Sequence, residues 1–281
     1  MPVSRITRRQ FLTGLGAVAA GTCLYTWRIE PTWVEFVRRD LTIENLPAML
    51  AGRTLVQLSD IHIGPQVNDD YLKDVFARVT ALRPDIVVNT GDLVTYAGPQ
   101  TLTQARTLLA GFPRGKLATI ATLGNHDYGK NWSEYKVANQ VSELLGEAGC
   151  LVLRNQLVNV LGLSIAGLDD LWGRRFLPQR ILPRLAPGKP AIVLSHNPDT
   201  CDRPGWSGYR GWILAGHTHG GQCKPPFLPP PLLPVSNRRY TAGEFDLGNG
   251  RRLYINRGVG HLLRVRFNVR PEVTVFTLKP A

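Results

Sequence analysis

Five short polar motifs, each lying directly behind an apolar run, constrain this chain more than any other feature. They are Ser59-Asp60-Ile61-His62, Gly91-Asp92, Gly124-Asn125-His126-Asp127, Ser195-His196-Asn197 and Gly216-His217-Thr218-His219. The runs before them, at 54–59, 86–89, 117–122, 191–194 and 212–214, read as buried strands. In α/β sheets, ligand sites form beyond the carboxyl ends of the strands. Motifs distant in sequence therefore meet along one edge. Of the 6 histidines only His261 lies outside these motifs.

Between the motifs the apolar spacing predicts helices over 70–82 and 101–110. A third is expected over 133–148, with Ser133 as its cap and Gly149 just past its end. The second half is β-rich, with strands expected at 151–153, 157–160, 164–168, 240–245, 253–256 and 273–278. The strand–motif–helix rhythm indicates a layered α/β fold. The stretch from Pro225 to Pro234 can be neither regular helix nor central strand.

The chain has 281 residues, which suits one large α/β domain or two small ones, and 43% are hydrophobic. Its net charge of +12 favours anionic partners: a phosphate-bearing substrate, a membrane surface or nucleic acid. No nucleic-acid motif accompanies the charge and no aromatics interleave the basic stretch, so nucleic acid ranks last. Cys23, Cys150, Cys201 and Cys223 are too widely spaced for a zinc knuckle or CxxC pair, and packing roles are expected, with Cys223 near the last motif.

Residues 1–30 read as an address. Arg8-Arg9-Gln10-Phe11-Leu12, followed by a Gly/Ala-rich apolar stretch, resembles a twin-arginine export signal for proteins moved already folded. Ala17-Val18-Ala19 offers a cleavage site. The alternative is a retained anchor, although the run is short for a span of about 20 residues. Trp27, Trp33, Phe36 and Val37, mixed with arginines, suit a lipid interface. The expected location is the periplasm or the outer face of the cytoplasmic membrane.

The donor types suggest the chemistry. Asp60 and His62, two apart on an extended strand end, would point to one side and hold one cation. Asp92 has two oxygens and can bridge two cations. Asn125 adds a neutral carbonyl oxygen, His196 and His217 serve the second cation, and His219 reaches back to the first. Such a mixed set suits Mn, Fe or Zn better than Ca or Mg. Two such ions clamp a phosphoryl group and activate a shared water, which attacks phosphorus in line.

The ordered pattern DxH…GD…GNHD…H…GHTH resembles the calcineurin-like metallophosphoesterase family, over residues 41–281. The resemblance implies a four-layer αββα sandwich of two mixed β-sheets flanked by helices. It implies one metal on Asp60, His62, Asp92 and His219, and another on Asp92, Asn125, His196 and His217. His126 would stand beside the leaving group as general acid, oriented by Asp127. Further along, Gly220-Gly221-Gln222, Arg239-Tyr240, Arg257-Gly258-Val259-Gly260 and Arg270-Pro271-Glu272-Val273, taken with the leader, look like the exported YaeI-type bacterial phosphodiesterases. Phosphodiesterase activity is the resulting expectation. The alternatives are a pyrophosphatase acting on a lipid-linked substrate such as UDP-2,3-diacylglucosamine, a broad phosphatase, or an envelope binding protein with structural metals.

Four features stand beside the core pattern. Arg257 and Asn125 are candidate substrate contacts, Arg257 because guanidinium forks onto phosphate; its alternative is an ion pair. His261 reads as a packed histidine. Phe227, Leu228, Leu232 and Leu233 in the proline-rich loop could meet an acyl chain or a membrane, or simply pack. Asn197 and Asp199 are either supports for His196 or turn residues.

Overall fold

Apolar runs that alternate between two buried faces require cover on both sides, and two stacked sheets provide it. The computed structural model describes residues 7–185, 188–206 and 208–281. Its first sheet contains β1 (Glu35–Ile43), β2 (Thr54–Leu58), β3 (Ile86–Thr90), β4 (Ala118–Thr122), β5 (Leu151–Val152) and β12 (Glu272–Pro280), in the order β1-β12-β2-β3-β4-β5. The second contains β6 (Gln156–Val160), β7 (Leu163–Gly167), β8 (Ala191–Leu194), β9 (Gly211–Ala215), β10 (Gly243–Gly248) and β11 (Arg251–Ile255), in the order β10-β11-β9-β8-β7-β6. Both are mixed. β2, β3, β4 and β5 run parallel, as do β7, β8, β9 and β11, while β12–β2, β6–β7 and β10–β11 are antiparallel.

Three apolar layers follow from the alternation. Leu55, Ile86, Val88 and Ile120 face Ile165, Ile192, Leu194 and Leu214 across the gap between the sheets. Their neighbours Val56, Leu58, Val87 and Ala121 point the other way, into a layer covered by helices α2 (Asp69–Ala81), α3 (Pro99–Leu109) and α4 (Tyr135–Glu147). Ala166, Val193, Ile213 and Leu253 form the outer face of the second sheet. There the cover is short 3-10 helices, such as Leu182–Arg184 and Pro198–Asp202, with Trp206 and Tyr209. The expected four-layer sandwich is present, with unlike outer layers.

Several boundaries differ from expectation for identifiable reasons. β1 begins at Glu35, so the expected domain start at residue 41 falls inside a strand. Phe36 and Val37 are part of β1, and Phe36 packs on the core; they are not free interface residues. The strand hides in the sequence because it lies at an edge and carries exposed Arg38, Arg39 and Asp40; nine residue pairs join it to β12. Ser133 does not cap α4. The N-cap is Glu134, whose Oε1 turns back to accept from the Lys130 N–H at 2.9 Å. The strand expected at 240–245 begins at Gly243, because the Tyr240 hydroxyl is drawn to Asp202 at 2.8 Å.

Helix α1 (Arg8–Leu24) spans most of the expected leader, and none of its residues is buried. No helix among the described residues is long and apolar enough to cross a membrane. Residues 1–6, at the front of that leader, lie outside the described residues. From Pro225 to Pro234 the chain forms neither helix nor strand, as expected, and Phe227, Leu228 and Leu232 are exposed.

Candidate metal centre

All five motifs converge on the seam between the sheets. The first three follow β2, β3 and β4; the last two follow β8 and β9. Two triads of potential ligands form there, Asp60–His62–His219 and Asp92–His196–His217, each with its donor atoms within 4.8 Å of one another. His62 Nε2 lies 3.0 Å from His219 Nε2, and His217 Nδ1 lies 3.2 Å from His196 Nε2. Two nitrogens bound to one ion at about 2.1 Å stand roughly 3.0–3.4 Å apart for bond angles between 90° and tetrahedral. Asp92 links the triads: its Oδ2 is 3.1 Å from His196 Nε2 and 3.7 Å from His62 Nε2.

Asn125 completes the set. Its Oδ1 and Nδ2 are both buried with no hydrogen-bond partner. An unpaired buried amide costs on the order of 1–3 kcal/mol, and a cation would satisfy its oxygen. Asn125 stands beside Asp92, because the next residue, His126, donates its backbone N–H to Asp92 Oδ1 at 2.8 Å. The residues present therefore fit a pair of divalent ions.

The backbone pays for this convergence. Asp60, His62, Asp92, His217 and His219 all have positive φ, between 49° and 71°. Non-glycine residues are uncommon in that region, and such strain clusters at functional sites. The expected extended geometry at Asp60 and His62 is thus corrected: the pair meets through two left-handed residues, not along a straight strand end. The motif glycines allow the close approach. A Cβ on Gly124 would overlap Asp92 Oδ1, and one on Gly216 would overlap Ser59 Oγ and Asp60 Oδ2.

Asn125 apart, the donors are held by further contacts, as ligands generally are. Both Asp60 oxygens accept from the His217 N–H at 3.0 Å, and the Ser59 hydroxyl donates to Oδ2 at 2.6 Å. His196 Nδ1 bonds the Thr90 carbonyl at 2.8 Å, so it carries the proton and leaves Nε2 free. His217 Nε2 bonds the Pro234 carbonyl at 2.8 Å, which frees Nδ1. His62 Nδ1 meets Thr95 Oγ1 at 2.9 Å.

Electrostatics agree with a cation site. Burial lowers His62, His219 and His217, the last to about 3, and keeps their lone pairs available. Burial also opposes a charge on His196, but Asp92, Asp60 and Asp170 outweigh it and raise the imidazole to about 10. The buried carboxylates around His196 thus favour positive charge at this point of the site.

Three expectations are corrected or refined. Asp127 spends its oxygens on the backbone, accepting from Val94 N–H at 3.0 Å and Gly124 N–H at 2.9 Å. It fixes the loop that carries His126, not the imidazole itself. His126 is half-buried, with its ring edge-on to His62 at 5.1 Å. Arg257 is no free phosphate fork. Its guanidinium is committed to Glu272 at 2.5 Å and Glu35 at 2.8 Å, the ion-pair alternative. Asn197 and Asp199 act as turn residues that tie loops: Asn197 Oδ1 accepts from Asp199 N–H, and Asp199 accepts from Ser236 and Asn237 N–H. His261 is buried against the Gln66 carbonyl at 3.1 Å, outside both triads. Cys150 and Cys201 are buried free thiols, and Cys223 pairs by backbone with Phe267.

Sequence reasoning missed Arg266. It looks like one more surface cation, yet it is fully buried, and its guanidinium donates to the carbonyls of Arg257, Gly258, Gly260 and Val269. It also approaches His219 Nδ1 at 3.4 Å. No local signal marks it, because its partners are carbonyls. Also missed were Trp132 and Trp172, which stack at the mouth of the site.

Comparisons with known proteins agree with this geometry. Residues 53–221 match the calcineurin-like phosphoesterase family. The chain is 34% identical to YkuE of Bacillus subtilis, an uncharacterized metallophosphoesterase, over 99% of each chain. It is 32% identical to the phosphodiesterase YaeI of Escherichia coli, over 97% of this chain and 99% of the relative. It is 27% identical to the UDP-2,3-diacylglucosamine pyrophosphatase LpxG of Chlamydia muridarum, over 94% and 95%. With the sandwich, the ordered motifs and nearly full-length relatives in agreement, the chain belongs to the calcineurin-like phosphoesterase family.

Proposed function

We propose that this protein is a phosphodiesterase that uses two divalent ions. The observation carrying the proposal is Asp92, whose one carboxylate serves both imidazole triads. One ion would take Asp60, His62, Asp92 and His219, and the other Asp92, Asn125, His196 and His217. Mn, Fe or Zn suit this donor set. When bound, such a pair supplies Lewis acidity and an activated water.

The chain's own residues do the rest. Asp60 and Asp92 are immobilised by backbone N–H groups, so the donor geometry is set before substrate arrives. His126 reaches the edge of the site with its backbone anchored on Asp92 and its ring unshared with Asp127. It is positioned to give a proton to the departing oxygen. Asn125 offers its amide to the phosphoryl side, as the one donor with both polar atoms unspent.

The relative LpxG supports a second reading, a lipid-linked pyrophosphate as substrate. Exposed Phe227, Leu228 and Leu232 lie on the loop whose Pro234 carbonyl holds His217, so an acyl chain or a membrane surface would meet the rim near a ligand. Export by the twin-arginine route, to the outer face of the cytoplasmic membrane or the periplasm, goes with the phosphodiesterase reading and equally with this second one. It is supported by Arg8 and Arg9 at the exposed start of α1.

The test is hydrolysis of bis-p-nitrophenyl phosphate by protein lacking the leader, with and without Mn²⁺, beside His126→Ala. Metal-dependent turnover that the variant loses while keeping its metal is the expected result. Failure on the diester with cleavage of a nucleotide-linked lipid would favour the second reading. Two bound ions with no turnover on any phosphoester would favour a binding protein with structural metals.

A further inference from the structure

Trp132 and Trp172 come from different halves of the fold. One follows the motif behind β4 and the other lies in the loop after β7. Their rings stack with centroids 4.8 Å apart and planes 28° from parallel. Trp172 turns its edge to the His217 ring at 4.5 Å, and Trp132 stands against His126 at 5.9 Å. The pair thus bridges one residue from each metal-site half.

Packing does not account for it. Neither tryptophan belongs to a core cluster, and Trp132 remains 37% exposed. Trp132 also holds a left-handed backbone at φ 54°, an outlier for so bulky a residue. The loops that carry the two tryptophans are tied together. The Tyr135 hydroxyl donates to the Gly173 carbonyl at 3.1 Å, joining the two loops. Arg154 clamps them again through Asp169 at 3.2 Å and the Tyr128 hydroxyl at 3.0 Å. A braced aromatic pair, partly exposed beside a polar metal centre, has the chemistry of a stacking platform. Exposed Lys130 and Arg174 flank it in sequence and add positive charge.

We propose that Trp132 and Trp172 form a binding subsite for a planar aromatic group, a nucleobase or an aryl ring, carried on the phosphoester held at the metal centre. The subsite selects substrates with such a group over those with aliphatic groups alone. The inference rests on the phosphoester reading above, but its test reads binding and not turnover.

The metal-loaded protein is titrated calorimetrically with AMP, phenyl phosphate and ribose 5-phosphate. All three carry the same phosphate; two carry a planar ring. Stacking of one base on an aromatic side chain is expected to give the aromatic ligands about a tenfold advantage in Kd over ribose 5-phosphate. Trp132→Ala should reduce that advantage to about twofold, Trp132→Phe should keep most of it, and Trp172→Ala should weaken it. Circular dichroism and metal content confirm that each variant is folded and loaded. AMP tighter than phenyl phosphate assigns the subsite to nucleobases, and the reverse order to simple aryl groups. Equal affinity for all three ligands in the wild-type protein, or an advantage unchanged in both alanine variants, overturns the proposal. If the aromatic advantage is present while bis-p-nitrophenyl phosphate goes uncleaved, the phosphodiesterase reading fails and the subsite stands.

Discussion

The two sheets contribute unlike donors to the seam. The first supplies oxygens from Asp60, Asp92 and Asn125, with His62 as its one nitrogen. The second supplies only imidazoles, His196, His217 and His219. The support is crossed. Asp60 of the first half is held by the N–H of His217 in the second, and His196 of the second is held by the Thr90 carbonyl of the first. Neither sheet can therefore prepare its ligands alone. Docking of the sheets and assembly of the site are a single event, and Gly216 and Gly91 stand where a Cβ would meet Ser59 and Asp60, or His196, across the seam.

The strongest way to break this scheme is to remove the group that both halves share. Asp92→Ala should lower kcat on bis-p-nitrophenyl phosphate by more than about 10³-fold, beyond the loss expected for one ordinary electrostatic donor. Elemental analysis should show loss of both ions. Retention of one tightly held ion would mean that the halves bind independently.

Next in size is a block to docking. Gly216→Ala places a Cβ on Ser59 Oγ and Asp60 Oδ2. The overlap should cost about 3 kcal/mol or more in denaturant unfolding and weaken metal binding with it. A variant of normal stability would show that the seam yields more readily than its packing suggests.

Arg266→Met tests how far the closing loop depends on a buried cation. Four carbonyls would lose their donor, and the expected destabilisation is on the order of 3 kcal/mol. A smaller change sharpens the comparison between the ions. Thr95→Val removes the hydroxyl that orients His62. Metal titration should show roughly 10-fold weaker binding at the first site, with the second unchanged.

The smallest effect lies away from the seam. Burial pushes Asp85 up, but the Thr54 N–H and hydroxyl and the Arg53 guanidinium outweigh it, and the carboxyl lies below its usual value. A depressed carboxyl stabilises the fold above its unfolded pKa of about 3.9, and that contribution disappears as pH falls through the folded value. Arg53 is half-exposed and adds little. Asp85→Asn should cost about 1 kcal/mol at pH 7 and almost nothing at pH 2, read from urea unfolding at the two pH values.

Most of the strands, and the polar groups that gather behind them, were legible in the residues alone; edge strand β1, masked by Arg38, Arg39 and Asp40, was not. Alternating burial and the placement of polar motifs behind apolar runs are local properties, visible in consecutive residues. Asp60, His62, Asp92, Asn125, His196, His217 and His219 could be read this way because each motif is short. How those groups are held, and what else surrounds them, depends on contacts between segments far apart in the chain. Arg266 differs in no local respect from its exposed neighbours; burial among four carbonyls makes it a fastener. Arg257 could be a phosphate fork until Glu35 and Glu272, distant in sequence, take its guanidinium. Asp127 sits where a carboxylate could orient His126, but two backbone N–H groups capture it first. Trp132 and Trp172 form a platform only because two loops, 40 residues apart, are braced together. Hydrogen bonds and stacking act over a few ångströms in space and are blind to separation along the chain, so such assignments cannot be read from residue types in order.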